Sequence, residues 1–342
     1  MPTVSFLMSN YKTPPAYLRR ALDSMLAQTL TDFEAVVIND GVKDESYDVL
    51  LEYAAKDGRI RLIENEKNLG LPASLNKGIG QCRGTYIARM DTDDICYPDR
   101  LETQVAYMEA HPDVMFAGAW ADVFEEDENE IVRTWQSRIG SPEEYRIRLL
   151  FGNDPVLIHP TVIFRREFLM KNDLRYSEDP QFRYTEDYEM WTRCADRGNA
   201  AIIDRVVLKY RVAQAQDRIT VRHAQEMAAC GRNTRKKMLA RLGIEPTDAQ
   251  DALHDRLLSG RKPFDVRYKQ WIAKLLRQNK TYGVYDRALF RKMLHDRWYT
   301  IVYYGAAGEK SGRGKLSVLL SLFPDGYGRF IKEIINKRLT KQ

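Results

Sequence analysis

Six consecutive residues, Arg89-Met90-Asp91-Thr92-Asp93-Asp94, follow the apolar run Tyr86-Ile87-Ala88 and hold the densest chemistry in the chain. Three carboxylates at the end of a buried strand are costly to place unless a cation or a hydrogen-bonding ligand offsets them. On an extended backbone, residues two apart point the same way, so Asp91 and Asp93 can reach one ligand while Asp94 turns aside. Carboxylate oxygens favour hard cations such as Mg²⁺ or Mn²⁺, and these are commonly shared with substrate phosphates, which makes a nucleoside diphosphate the natural client. An isolated Asp-x-Asp is more often an acidic turn with no ligand. The elements around it decide between the two.

Val4 to Met8 is a short apolar run that stops at Ser9-Asn10-Tyr11, and Pro14-Pro15 then opens a helical pattern with Leu18, Ala21, Leu22, Met25 and Leu26 on one face. Phe33 to Asn39 predicts a second strand ending at Asp40-Gly41, Tyr47 to Ala55 a helix, Ile60 to Ile63 a third strand and Leu71 to Ile79 a third helix. Tyr86 to Met90 closes the series. Short apolar strands alternating with helices predict a mostly parallel sheet with crossover helices, whose ligands sit beyond the carboxyl ends of the strands. Three polar clusters fall at such ends: Ser9-Asn10-Tyr11, Asn39-Asp40-Gly41 and Arg89 to Asp94. Their gathering on one edge argues for a nucleotide site better than any one of them does. With neither G-x-G-x-x-G nor G-x-x-x-x-G-K-[ST] in the chain, a metal held by Asp93 becomes the natural partner for the phosphates.

Taken together, Val4-Ser5 to Tyr11, Gln28-Thr29, Val37 to Gly41, Asn68-Leu69-Gly70, Asn76-Lys77-Gly78, Arg89 to Asp94 and Pro98 resemble glycosyltransferase family 2, the inverting enzymes of GT-A fold. The match is dense over the first 100 residues and thinner to about residue 211. The resemblance implies an α/β, Rossmann-like nucleotide-diphospho-sugar fold. It divides the chain into a nucleotide-sugar-binding half (1–110), an acceptor-binding half (111–215) and a helical C-terminal extension (216–342). It implies Asp93, with Asp91, as ligands of Mn²⁺ or Mg²⁺ against the diphosphate, and Asp40 as acceptor for the N–H of a uracil base, with Tyr11 stacked on the ring. Ser9, Asn68, Gly70 and Asn76 would line the nucleotide, and Arg89 would pair with a phosphate or lock the aspartates.

Further along, Arg100 to Glu109 predicts a helix, and Val114 to Phe124 with Ile131 to Trp135 a hairpin across a solvated acidic turn. His159 to Arg166 predicts another strand, and Phe182 to Trp191 enters a helix with Thr185 as N-cap and Glu186 and Asp187 in its first turn. Acidic first turns are ordinary helix chemistry. The resemblance makes this pair the catalytic motif, with Asp187 as general base and inversion at the anomeric carbon as the outcome. His159 is a rival base, better read as an acceptor or phosphate contact or a structural histidine. Glu186, Trp191 and Arg211 are further contacts of acceptor or phosphate. Ile202 to Arg211 adds a strand, and Tyr210-Arg211 resembles the element that closes the family's catalytic domain. Two departures stand out: Lys12 where many relatives carry Asn, and Ala213 where many carry a His near the metal and diphosphate.

The chain has 342 residues, of which 44% are hydrophobic and 30% charged, with a net charge of +5, which fits a globular protein with a sizeable core. No basic stripe interleaved with aromatics points to nucleic acid. Its four cysteines show no C-x-x-C and no disulfide framework, and no signal peptide or spanning segment is evident, so the expectation is a cytoplasmic protein. From Glu309 to Gln342 there are eight Lys/Arg against three Asp/Glu, an excess equal to that of the whole chain. Helical patterns over His223–Leu242, Asp248–Leu258, Arg267–Gln278 and Tyr285–Tyr299 precede an apolar and basic segment at Lys315–Leu339. That segment can lie on an anionic membrane surface or pack on its own domain or on a second copy in a homodimer.

The layout resembles bacterial enzymes that add a hexose or N-acetylhexosamine from a UDP-sugar to a glycan or lipid-linked oligosaccharide in surface polysaccharide synthesis. A sugar-phosphate nucleotidyltransferase is a second reading, but Ser9 to Pro15 lacks the glycine-rich basic loop of those enzymes. A non-catalytic glycan-binding or scaffold protein is a third, and retention of Asp93 and Asp187 argues against it.

Overall fold

A computed structural model describes residues 1–152, 157–213, 219–259 and 267–308. They divide into two compact units, one drawn from Met1–Tyr145 and Pro155–Gly231, the other from Arg146–Asp154 and Arg232–Gln342.

The first unit begins with β1 (Val4–Asn10), α1 (Pro15–Leu26), β2 (Phe33–Asn39), α2 (Glu45–Lys56), β3 (Ile60–Glu64), α3 (Leu71–Gln81) and β4 (Tyr86–Met90). These four strands run parallel in the order β3-β2-β1-β4. Every residue of β2 is buried, as expected of a strand covered on both faces. Helix α1 starts at a proline, whose missing N–H is harmless there, and buries Leu18, Ala21, Leu22 and Met25. Helix α2 begins two residues earlier than its periodicity suggests, because the Asp44 side chain accepts from the amides of Ser46 and Tyr47 and caps it. Helix α3 lies tight against the sheet at Gly78, where an added Cβ would stand 2.2 Å from Leu7 Cδ1.

After β5 (Ile95–Cys96) and α4 (Arg100–Ala110) come β6 (Val114–Phe124), β7 (Arg133–Trp135), α5 (Pro142–Phe151), β8 (Ile163–Arg165), α6 (Arg166–Lys171), α7 (Glu186–Ala195) and β9 (Asn199–Arg211). They extend the sheet past β4 through β8, β6, β9 and β5, with β7 paired to β6. Here pairing is mixed: β4–β8, β8–β6 and β9–β5 are antiparallel, and β6–β9 is parallel. The β6–β7 hairpin forms as expected. A single sheet thus runs through both expected halves, 1–110 and 111–215. The strand expected over His159–Arg166 is shorter: His159–Thr161 is a 3₁₀ turn and only Ile163–Arg165 pairs. Pro160 has no N–H to give a ladder, and its fixed φ suits a turn. Behind these strands Phe116 stacks on Phe164, Phe168 and Trp191, with ring centroids 6.0, 6.2 and 6.2 Å apart.

In the second unit the helices Asp248–Ser259, Arg267–Tyr282 and Arg287–Gly308 follow the expected patterns, the last extending beyond Tyr299. Its core includes Leu257, Ile272, Leu275, Phe290, Leu294 and Trp298. Buried His254 is fully engaged there. Trp271 donates its indole N–H to Nδ1 at 3.0 Å, which leaves the proton on Nε2 to be donated to the Leu150 carbonyl at 2.9 Å. Burial lowers its pKa to about 4.

All four cysteines are buried and none is in a disulfide. Among the described residues no helix is long and apolar enough to cross a membrane. The basic segment Lys315–Leu339 lies outside the described residues.

Candidate active site

The parallel register sets the three polar clusters side by side. Asn10 stands opposite Asn39, and Met8 opposite both Val37 and Met90, so β1, β2 and β4 end along one edge. Asn10 is turned inward, donating to Asn39 Oδ1 at 3.0 Å and Ser46 Oγ at 2.9 Å. Tyr11 is 48% exposed, with Lys12 Nζ 5.4 Å from its ring centre. Ser9 is part-buried and Asn68 exposed.

Asp40 organises the loop after β3. Its Oδ1 accepts from Asn65 Nδ2 and from the Leu69 amide, both at 2.8 Å, and its Oδ2 from the Gly70 amide at 2.9 Å. The carboxylate is only 2% exposed. Beside it, Gly41 has φ +77, and a Cβ there would fall 2.0 Å from the Lys67 carbonyl carbon, so the loop crosses directly over this glycine. Asn65, which sequence reasoning did not single out, also bonds Ser74 Oγ at 2.9 Å and so ties the loop to α3.

The acidic stretch departs from the extended backbone expected for it, since Thr92 and Asp93 form a turn. The side chains of Asp91 and Asp93 meet different arginines. Asp91 pairs with Arg89, and Asp93 Oδ2 lies 2.7 Å from Arg211 Nη2. Asp94 does turn aside, 1% exposed, with Oδ1 accepting the Arg211 backbone N–H at 2.8 Å. Burial first, and the neighbouring aspartates next, raise the pKa of Asp94 well above the carboxylate range and that of Asp93 in the same direction. Beneath the turn, the fully buried Arg100 donates to the Arg89 carbonyl at 2.7 Å and to Gln104 Oε1 at 3.0 Å. Arg100 read as an ordinary helix-start residue, so nothing in the pattern marked it. Thr13 and Thr92 hydroxyls, 2.7 Å apart, join the loop after β1 to the turn.

Helix α7 brings the second acidic pair. Thr185 occupies the N-cap position, but its hydroxyl donates back to the Phe182 carbonyl at 3.1 Å and makes no side-chain cap. The first-turn amides are left to Glu186 and Asp187, and Asp187 Oδ1 accepts from the Tyr188 amide at 2.6 Å. Burial, then Asp187, raises Glu186 to about 7, and burial raises Asp187 as well. The charges of Arg89 and Asp91 act on both. So the end of β4 and the start of α7, about 95 residues apart in sequence, share one electrostatic neighbourhood.

His159 joins this neighbourhood. Its Nε2 lies 2.8 Å from the Tyr176 hydroxyl, its ring meets Trp191 edge-on at 5.7 Å, and burial followed by the Arg89 charge pushes its pKa well down. Asn76, part-buried, pairs with the backbone of Tyr176, donating to its carbonyl at 2.9 Å and accepting from its amide at 2.7 Å. Among the described residues, the buried Arg89 Nε, Arg211 Nε and Trp191 Nε1 have no protein acceptor, and Asp94 Oδ2 has no donor. Among the described residues no group of three or more His, Cys, Asp or Glu is gathered for a metal.

Known proteins bear on this arrangement. An uncharacterized glycosyltransferase of Methanocaldococcus jannaschii is 35% identical over 62% of this chain and 71% of its own length. The amylovoran biosynthesis glycosyltransferase AmsE of Erwinia amylovora is 33% identical over 60% of this chain and 75% of its own. Among solved structures, S. aureus TarS (residues 1–349), crystallised with UDP and with UDP-GlcNAc, superposes with a TM-score of 0.56 for each complex over 94% of this chain and 93% of that one. At 17% and 16% identity that likeness speaks for the fold, which is GT-A. The model of glycosyl transferase family 2 matches residues 5–172, a span that takes in β1 through β4, the acidic turn and His159. With a matched relative above 30% identity covered over more than two thirds of its length, the chain belongs to glycosyltransferase family 2.

Proposed function

We propose that the protein transfers a hexose or N-acetylhexosamine from a UDP-sugar to a glycan or lipid-linked acceptor in surface polysaccharide synthesis, with inversion at the anomeric carbon and Asp187 as general base. The observation that carries the reading is the shared neighbourhood of Asp187 and the β4 carboxylates: the charges of Arg89 and Asp91 reach Asp187. A base for the acceptor hydroxyl and a charged grip for a leaving diphosphate have to face one anomeric carbon for an in-line displacement. The complexes of TarS with UDP and UDP-GlcNAc, and the part of AmsE in amylovoran biosynthesis, favour this donor and product class.

Each step has a residue. Asp187, its pKa raised by burial, is a stronger proton acceptor than an exposed aspartate and takes the proton of the attacking hydroxyl. Arg89 and Arg211 keep Nε groups that have no protein acceptor among the described residues, suited to diphosphate oxygens. Asp40 holds the Asn65–Gly70 loop over the nucleoside and keeps a lone pair for the base, while exposed Tyr11 stacks on the ring. In this reading Ser9, Asn68 and Gly70 would line the nucleotide, and Glu186, Trp191 and His159 would contact the acceptor.

The donor set fits a divalent cation shared with the substrate. Three carboxylates stand against two guanidiniums at the turn, Asp94 Oδ2 is orphaned, and ions of this kind take one or two carboxylates and complete their shell with phosphates and water. Asp91 and Asp93 would hold it, and Mn²⁺ or Mg²⁺ there supplies positive charge for the departing diphosphate. Arg211 sits on Asp93 from the strand that leads to Ala213, so an ion held there has to displace this guanidinium.

We place the protein in the cytoplasm, with peripheral contact to an anionic membrane through its C-terminal basic segment. The test is donor hydrolysis with Mn²⁺ across UDP-, GDP- and dTDP-sugars, with wild type beside Asp93→Ala and Asp187→Ala. Metal-dependent UDP release from one donor, lost in Asp93→Ala, supports the reading. Absence of both hydrolysis and calorimetric UDP binding overturns it.

A further inference from the structure

Tyr176 belongs to no motif of the sequence, yet it sits between two residues that do. Its backbone is clasped by the Asn76 amide through two hydrogen bonds, at 2.9 and 2.7 Å, and Asn76 also donates to Glu178 Oε1 at 2.9 Å. Side-chain amide to backbone pairing of this kind fixes both position and orientation, because donor and acceptor cannot be exchanged. At the other end the Tyr176 hydroxyl, on a residue 2% exposed, has His159 Nε2 as its one partner among the described residues.

That single contact decides where the histidine proton sits. A buried hydroxyl with one neighbour has to spend its proton on that neighbour, since otherwise an O–H donor would stay unsatisfied in the interior at a cost of about 1–3 kcal/mol. Nε2 is therefore the acceptor, and a neutral imidazole that accepts at Nε2 is protonated at Nδ1. Burial and the Arg89 charge keep the ring neutral, and burial keeps the phenol protonated. Among the described residues Nδ1 has no hydrogen-bond partner, His159 is partly exposed, and the ring lies against Trp191 within reach of the Arg89 charge.

We propose that Asn76 and Tyr176 are positioning residues that hold His159 as the neutral Nδ1–H tautomer, so that the ring presents an N–H donor to an oxygen of the bound substrate. Asn76 thereby acts at one remove, through Tyr176 and His159. A neutral donor binds a hydroxyl or phosphate oxygen without drawing protons from Asp187. The substrate half of this inference rests on the sugar-nucleotide reading, and the tautomer does not.

His254 supplies an internal reference of opposite kind, because the donor-only indole of Trp271 fixes it as the Nε2–H tautomer. Long-range ¹H–¹⁵N spectra of the histidine-labelled full chain, assigned with His159→Gln, are expected to show His254 with a bare Nδ1 and His159 with a bare Nε2. A wild-type spectrum with His159 protonated at Nε2, or doubly protonated, overturns the proposal with no variant needed. In Tyr176→Phe, which keeps the ring and removes the hydroxyl, His159 is expected to lose its Nδ1–H preference while His254 stays unchanged. Retention of the preference overturns the role of Tyr176. In the donor-turnover assay the same variant is expected to lose about tenfold in kcat/KM, the worth of one hydrogen bond, with UDP affinity within about twofold. Unchanged kcat/KM beside an altered tautomer overturns the substrate half alone. Failure of the wild type to turn over any sugar nucleotide sinks the activity, and the spectrum still judges the tautomer.

Discussion

Arg211 holds two consecutive aspartates at once, its guanidinium 2.7 Å from Asp93 Oδ2 and its backbone N–H 2.8 Å from Asp94 Oδ1, with the guanidinium carbon 4.1 Å from the centre of the Tyr17 ring. The last residue of β9 is in this way locked to the turn after β4. A divalent ion at Asp93 has to compete with this arginine. Arg211→Gln keeps the backbone bond and removes the competitor, so Mn²⁺ alone should bind about fivefold more tightly, the equivalent of about 1 kcal/mol for a part-exposed ion pair. Calorimetric titration without nucleotide checks it, and weaker Mn²⁺ binding would place the arginine in support of the ion.

Asp187→Asn should separate binding from chemistry. The amide keeps an oxygen for the Tyr188 amide, so the first turn of α7 survives, while the proton acceptor is gone. Turnover should fall about 10²- to 10⁴-fold, with UDP affinity within about twofold of wild type. Comparable loss of UDP binding would mean that Asp187 serves the donor.

Glu186 gives the fold a pH dependence of its own. Burial and Asp187 raise it from 4.5 to about 7 in the folded chain. Between those values the folded state holds a proton the unfolded state has released, so this group's contribution to stability declines as pH rises through that window. The full difference is about 3 kcal/mol. Urea unfolding at pH 5 and pH 8 should show wild type losing stability relative to Glu186→Gln at the higher pH. Parallel behaviour of the two proteins would remove Glu186 as the source.

Asp40→Asn should loosen the loop it organises. An amide nitrogen would face the Leu69 or Gly70 N–H now bonded at 2.8 and 2.9 Å, and the cost is about 1–3 kcal/mol. Faster proteolysis at Lys67 and weaker UDP binding are the expected signs, read by gel and by calorimetry. An unchanged cleavage rate would show that Gly41 and its close contact alone hold the loop.

The parallel half of the sheet was legible because each strand is a continuous apolar run with a polar end, and burial on both faces enforces that pattern. Val4, Phe33, Ile60 and Tyr86 open strands where the sequence put them. The site was legible only as residue types. That Arg211 would meet Asp93, Asn76 would meet Tyr176 and Asp40 would take the Leu69 and Gly70 amides depends on how the chain returns to the sheet edge. Those contacts join residues 118, 100, 29 and 30 positions apart, and no periodicity encodes them. Thr185 holds the expected N-cap position but not the expected side-chain bond, for a local reason: a hydroxyl can turn back to the carbonyl three residues before it as readily as forward to an amide. Pro160 signalled the 3₁₀ turn, but the apolar run after it hid the signal.

The buried cysteines leave the surface without a reactive thiol. Cys82, Cys96, Cys194 and Cys230 are each no more than 5% exposed, and burial pushes every one of their thiols up, Cys82 to about 12. Alkylating dyes need an accessible thiolate. The native chain is therefore already a silent background for labelling, and a cysteine introduced at exposed Leu69 would carry a fluorophore or spin label on the loop over Gly41 without any native thiol having to be removed.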